Sequence, residues 1–351
     1  MNAYTFSDVL IKPKYSEITS RSLVDISTNF GALHLQLPII SANMKTITEV
    51  NMARTMFMNG GFGILHRFNT IEENVQMYRA TKVPIKKNKC HCHCDHHEPI
   101  DKNIDSSINV GVSVGVQEID KKRFDSLYQE GANIFCIDVA HGHHVLVKNM
   151  IHWIRQNYPK EIMIIAGNVS TGDGAYDLAD WGANVIKVGV GPGSACATRQ
   201  KTGVGSPQLY ALEDVYTQLK IHGKTAKIVA DGGITHVGDI AKALKFADAV
   251  MLGSMIAGTS ETPGNVYKDF AGQFYKVYGG SASAENKGEN RFVEGVMKTI
   301  PFKGKVKYIL REIEDGIRSA FSYVGANNLQ QFQKKCEFIF ITNNASKESK
   351  Y

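Results

Sequence analysis

Short apolar runs alternate with amphipathic stretches along most of this chain. Leu37–Ser41, Phe62–His66, Asn109–Val114, Ile134–Val139, Ile162–Ala166, Val185–Val188, Lys227–Ala230 and Ala247–Leu252 read as buried strands. Between them, helical spacing predicts helices over Thr48–Asn59, Ile71–Thr81, Glu118–Glu130, Val145–Gln156, Gly172–Trp181, Pro207–Ile221 and Val237–Leu244. A further amphipathic stretch, Lys305–Tyr323, supplies a last helix. An unbroken series of strand–helix units predicts an α/β protein, a (β/α)8 barrel, rather than an open doubly wound sheet. Residues 1–36, broken by Pro13 and Gly31, read as a cap that precedes it. The barrel is expected to form one domain over residues 1–351. Residues 82–107 are a short linker and residues 261–300 an irregular excursion rich in Gly, Ser and Asn. The tail, 345–351, is expected to fray.

Composition narrows the function classes. At 43% hydrophobic and 21% charged, the chain can bury a large core. A net charge of +6 is too small and scattered to argue for nucleic-acid binding, yet it suits an anionic small substrate. The start, MNAYTFSDVLIKPKY, has no apolar signal-peptide core, and no stretch reaches membrane-spanning length. Three of the six cysteines crowd into Cys90–Cys94, which fits a reducing cytoplasm better than a disulfide framework.

In a barrel the strand ends share one mouth, and here those ends carry dense chemistry. The first strand ends in Ser41-Ala-Asn43-Met44, the fourth in Asp138, the fifth in Gly167-Asn168, the seventh in Asp231-Gly232-Gly233 and the eighth in Gly253-Ser254. Glycines after the last two strands are the usual phosphate cradle of such barrels, although each also reads as an ordinary turn or cap. Asp231 suits ribose hydroxyls rather than phosphate, since two anions repel. The sixth strand runs into GVGPGSACATRQKTGVG, where Cys196 lies beside Thr198, Arg199 and Lys201. A thiol near a hydroxyl and two cations on a glycine-loosened backbone reads as an activated nucleophile. The competing reading is a small cysteine packed in a loop.

Gly191-Pro-Gly-Ser-Ala-Cys196-Ala-Thr198-Arg199 resembles the nucleophile loop of the IMP dehydrogenase/GMP reductase family. The resemblance extends in order through SANMKTITE, GGFGILHR, AGNV, VADGGI, MLGSMIAG, Arg318-Ser319 and Tyr323-Val-Gly-Ala326. It implies that Cys196 attacks purine C2 to form a covalent nucleotide adduct. Met44, Asn168, Asp231, Gly232, Gly233, Gly253, Ser254 and Tyr278 match positions that contact IMP or GMP, and Gly280, Ser281 and Arg291 continue that surface. Asp138, Ala140, His141 and Gly142 fall where the nicotinamide cofactor is met. The backbone carbonyls of Gly191, Gly193 and Cys196 match a potassium site. The resemblance also leads us to expect a homotetramer.

Within the family, the short Ser283–Glu294 stretch favours the reductase branch. It has Arg291-Phe292 where a dehydrogenase carries Arg-Tyr on a long hydrolytic flap. The stretches CIDVAHGH, TRQKTGVGSPQL and SYVGA point the same way. The activity implied is NADPH-dependent reductive deamination of GMP to IMP and ammonia, in purine salvage. Thr198 and Glu294 would handle the proton of the departing amine, which leaves poorly until protonated. Without the resemblance, Glu294 reads as a solvated surface carboxylate. Two departures stand out: Tyr278-Gly-Gly-Ser-Ala-Ser lacks the family's methionine, and Lys45 replaces an acidic residue.

Cys90-His-Cys-His-Cys-Asp-His-His97 falls where dehydrogenases insert regulatory modules. It offers zinc or copper(I) ligands, but adjacent ligands close one tetrahedron poorly, and a solvated linker is the simpler reading. His141, His143 and His144 either contact cofactor phosphate or cap a loop. The alternatives to a reductase are an IMP dehydrogenase without regulatory modules, a purine-nucleotide-binding sensor and, on fold grounds alone, a flavin barrel.

Overall fold

Eight parallel strands close on themselves: β4 (Ile39–Ser41), β5 (Phe62–Leu65), β6 (Gly111–Val114), β7 (Ile134–Asp138), β8 (Met163–Val169), β9 (Val185–Val188), β10 (Lys227–Asp231) and β11 (Ala249–Leu252). Closure comes from β11 beside β4, with Val250 in register with Ile39 and Leu252 with Ser41. The computed structural model describes residues 3–83, 108–280 and 295–348. The (β/α)8 barrel expected from the patterning is the fold observed.

Both faces of each barrel strand are covered, which explains the continuous apolar runs: every residue of β4, β5, β6, β9 and β11 is buried. The surrounding helices are α1 (Val50–Met58), α2 (Ile71–Lys82), α3 (Glu118–Gln129), α4 (Val145–Asn157) and α5 (Gly172–Asp180). They continue with α6 (Thr198–Thr202), α7 (Gln208–Ile221) and α8 (Val237–Leu244). A capping box sets the start of α2: Thr70 Oγ1 accepts from Glu73 N, and the Glu73 carboxylate accepts from Thr70 N. On α4, Val147, Met150, Ile151 and Ile154 are buried at helical spacing. Full burial of each such side chain contributes roughly 1.5–3 kcal/mol.

The last barrel helix, α9 (Val306–Tyr323), buries Val306, Leu310, Ile313, Ile317 and Phe321. It lies so close to α8 that a Cβ on Gly316 would meet Val237 Cγ1 at 2.2 Å. Then follow α10 (Leu329–Lys335), β15 (Phe338–Phe340) and α11 (Asn343–Lys347). Ala345, from which fraying is expected, lies inside α11, and residues 349–351 lie outside the described residues.

The N-terminal cap is a real element. β1 (Val9–Ile11) pairs antiparallel with β15, which joins the two ends of the chain. The hairpin of β2 (Thr28–Phe30) and β3 (Leu33–Leu35) buries Phe30 fully. Its turn glycine, Gly31, sits at φ 61° against Met163, the first residue of β8, and so covers the barrel end opposite the mouth. The excursion after β11 is more regular than its composition suggests. It contains an antiparallel sheet of β12 (Tyr267–Lys268), β13 (Phe274–Gly279) and β14 (Met297–Pro301). Residues 281–294 and most of the 82–107 linker, from 84 onward, lie outside the described residues. Among the described residues no helix is long and apolar enough to cross a membrane.

Candidate active site at the barrel mouth

The cysteine loop begins at a close crossing. Gly189, directly after β9, has φ 151°, and a Cβ there would stand 1.9 Å from the carbonyl oxygen of Asp231 at the end of β10. Only glycine lets the two strand ends approach this closely. Gly191 is likewise left-handed, at φ 83°, with the Arg199 side chain where a Cβ would go. The loop then turns so that Cys196 N donates to Gly193 O at 3.0 Å. The Cys196 side chain is exposed, and its thiol donates to Thr198 Oγ1 at 3.1 Å. Cys136 and Cys336, the other free cysteines among the described residues, are buried. Burial pushes the Cys336 thiol up to about 11, away from reactivity.

The antiparallel sheet folds over this loop. Cys196 forms an isolated antiparallel bridge with Gly295, and Val296 N donates to Ala195 O at 3.0 Å. Lys298, on β14, donates to Ser194 O at 3.2 Å, and its ammonium lies 5.5 Å from the centre of the Tyr278 ring. A Cβ on Gly280 would meet Ala195 O at 2.5 Å, so this contact also requires glycine.

Opposite the cysteine, Tyr278 is buried, with its hydroxyl against Gly253. Burial raises the pKa of that hydroxyl and the hydrogen bond to Ser194 partly opposes the rise, so the phenol stays protonated. Met44 Sδ closes the other side of Gly253. Gly232 and Gly233 take φ 89° and 77° and pack on Pro192 and Gly193. Lys303 ties down the cradle from outside, donating to the carbonyls of Ser254 and Met255 at 2.9 and 3.0 Å.

The floor is charged. Lys187, on β9, is 3% exposed, and its Nζ is 2.8 Å from both Asp138 Oδ1 and Asp231 Oδ2. Asn168 Nδ2 donates to Asp231 Oδ2 at 2.9 Å and to Gly189 O at 2.7 Å. Burial alone would raise the Asp138 pKa. The adjacent Lys187 ammonium outweighs it, helped by Arg67 and by a hydrogen bond from Asn43, so the carboxyl titrates below its usual range. A depressed carboxyl adds stability that is fully present above its unfolded pKa and is lost as pH falls through the folded value. Unfolding midpoints should therefore drop on acidification below about pH 4, and less steeply in Asp138→Asn. Equal slopes in denaturant melts of the two proteins would contradict this assignment.

These elements surround one cavity of about 1120 Å3. Cys196, Thr198, Met44 and Asn168 line it, as do Asp231, Gly232 and Gly233. Gly253, Ser254, Tyr278 and Gly280 line it as well. Asp138 and Ala140 are on its wall, as are Gly191 and Gly193 of the cysteine loop. His141 and Gly142 are not on its wall. Gly142 is buried, and its N–H donates to Asn168 O at 2.6 Å. His143 pairs with Asp177 at 2.8 Å, and His144 caps α4 by accepting from Leu146 N, so two of the three clustered histidines serve the local fold. Ser281, Arg291, Glu294 and the Cys90–His97 stretch lie outside the described residues. Among the described residues there is no cluster of three or more His, Cys, Asp or Glu side chains suited to a metal.

Sequence reasoning missed Lys187, whose signal was a single charge inside an apolar strand. It also missed Arg67, Phe68 and Asn69 at the end of β5, which line the cavity beside Asp138.

The family model described as the IMP dehydrogenase / GMP reductase domain matches residues 3–351. A protein of Leptothrix cholodnii named GMP reductase is 37% identical over 350 residues, covering 98% of both chains. A Ligilactobacillus salivarius protein of the same name is 37% identical over 347 residues, again covering 98% of each. One from Albidiferax ferrireducens is 36% identical over 337 residues, covering 95% of each. With the family match running through the barrel, the cysteine loop and the sheet above it, the chain belongs to the IMP dehydrogenase/GMP reductase family.

Proposed function

We propose that the protein is a GMP reductase, converting GMP to IMP and ammonia with NADPH as reductant. The observation that carries this reading is the Cys196–Thr198 pair at the mouth, with the Cys196 backbone bridged to Gly295, the residue that follows Glu294 in the chain. The relatives named GMP reductase support it along nearly the whole chain.

In the first half-reaction the Cys196 sulfur bonds to purine C2 and the C2–N bond to the exocyclic amine breaks. The thiol already donates to Thr198 Oγ1. Thr198 and Glu294 pass that proton to the departing amine, which leaves as ammonia. In the second half-reaction C2 takes the hydride that NADPH, held along Asp138 and Ala140, would supply; the C–S bond breaks, and Cys196 departs as a thiolate that regains a proton from solvent. The balance is GMP, NADPH and two protons to IMP, NADP+ and ammonium.

Asp231 suits the ribose hydroxyls, and Tyr278 with the Gly232-Gly233 and Gly253-Ser254 turns suits the phosphate. The cavity exceeds the roughly 300–1,000 Å3 of ordinary small-molecule sites, which leaves room for a dinucleotide along Asp138 and Ala140. The carbonyls of Gly191, Gly193 and Cys196 have the hard-oxygen chemistry that a potassium ion takes. Gly193 O already accepts one hydrogen bond from Cys196 N and keeps its second lone pair.

Glu294→Gln should slow ammonia release by about 10²-fold or more while leaving hydride transfer from a preformed adduct much less affected. Rapid-quench measurement of ammonia against transient NADPH absorbance separates the two steps, and equal loss in both would remove Glu294 from the proton relay.

A further inference from the structure

Asp138 on β7, Gly167 on β8, Lys187 on β9 and Val229 on β10 form one register row across the barrel. Gly167, between the two charged residues, has no side chain. A Cβ there would lie 2.7 Å from Lys187 Cβ and 2.5 Å from its carbonyl oxygen. That gap lets the Lys187 ammonium lean across β8 to Asp138, while Asp231, two residues beyond Val229, meets it from β10. Each carboxylate oxygen is 2.8 Å from the same nitrogen, so the two are less than about 6 Å apart. Two carboxylates at that distance in a buried floor repel unless a cation stands between them. Asp138 lies on the expected cofactor wall and Asp231 on the nucleotide wall.

We propose that Lys187 is a positioning residue for both halves of the site: it holds Asp138 and Asp231 on their opposite walls and cancels their mutual repulsion. The ligands named here rest on the proposed function; the ion-pair geometry does not. The groups facing this centre are Asp138 and Cys136 from β7, Asp231 from β10, Arg67 from the end of β5, and the side-chain amides of Asn43 and Asn168. Burial alone would lower the Lys187 pKa, but the two carboxylates raise it, so the ammonium stays charged across the working range.

Removing the cation leaves two facing carboxylates. One of them then takes up a proton at low pH and loses it as pH rises, restoring the repulsion. Calorimetric titration of GMP, without NADPH, tests this between about pH 7 and about pH 9. Wild-type affinity should be flat over that range. Lys187→Met should bind about tenfold or more weakly, with the loss growing as pH rises. Lys187→Arg should recover most of the affinity. The double variant Lys187→Met/Asp138→Asn should bind GMP more tightly than Lys187→Met and lose the pH dependence, because Asp231 no longer faces a like charge.

Wild-type affinity in Lys187→Met overturns the proposal, as does a double variant no tighter than the single one. If Lys187→Met does not fold, the folded double variant decides: a flat profile supports the proposal, and a pH-dependent one overturns it. Wild-type protein that binds no GMP would instead withdraw the functional reading. Thermal unfolding of the same variants then tests the ion pair alone: Lys187→Met should lose stability as pH rises and the double variant should not.

Discussion

Replacing Cys196 by serine should lower turnover by about 10⁴-fold or more while leaving nucleotide binding near its wild-type value. The substitution is nearly isosteric, and the side chain is exposed to the cavity, so the fold has no reason to change. Asp231, Tyr278 and the glycine turns, to which nucleotide binding is assigned under the proposed function, are untouched. What is lost is a polarisable sulfur whose proton already points at Thr198 Oγ1. A serine hydroxyl in the same place is a far weaker nucleophile and a far poorer leaving group in the second half-reaction. Steady-state rates together with GMP titration check both parts. Turnover close to wild type would remove Cys196 as the nucleophile, and loss of binding along with turnover would make it a packing residue of the loop.

Gly189→Ala should destabilise the protein by roughly 3–5 kcal/mol and abolish activity in whatever remains folded. At φ 151° an alanine is strained before any contact is counted, and its Cβ would overlap the Asp231 carbonyl oxygen at 1.9 Å. That oxygen is backbone, so relief requires the ends of β9 and β10 to part. Parting them breaks the hydrogen bond from Asn168 to Gly189 O and pulls Asp231 from Lys187. Gly238→Ala is the control: its Cβ would meet nothing within 4 Å, in a helix, and should be neutral or mildly stabilising. Urea unfolding of both variants tests the contrast, and a Gly189→Ala midpoint near wild type would contradict this account of the crossing.

The barrel was legible because its strands are buried on both faces and its helices on one, two patterns that sequence spacing separates well. Val185–Val188 and Val237–Leu244 fall where their spacing put them, and strand ends elsewhere moved by a residue or a few. The excursion was harder. β13 does alternate, burying Lys276 and Tyr278 on one face, but a lysine reads as solvent-facing unless its partners are known. Those partners are the carbonyls of Thr259 and Thr262, on a turn well before it in the chain. Lys187 was hidden for the same reason, since the carboxylates that justify its burial lie on β7 and β10. The β1–β15 pair joins three-residue segments from opposite ends of the chain, too short to carry a period and too distant for a turn signal. Most proposed site residues line one cavity because the closed barrel brings every strand end to one mouth. His143 and His144 show the opposite case, where neighbours in sequence make separate local contacts: His143 pairs with Asp177 of α5 and His144 caps α4.

The most direct test of the central claim is an absorbance assay of the purified protein in potassium buffer. GMP with NADPH is offered in one cuvette and IMP with NAD in another, with ammonia measured in the first. The account predicts NADPH consumption that depends on GMP and releases ammonia in equal amount, with no reduction of NAD by IMP. Turnover only with IMP and NAD would contradict it, and would mean that a water-activating group stands where an ammonia-releasing one has been placed.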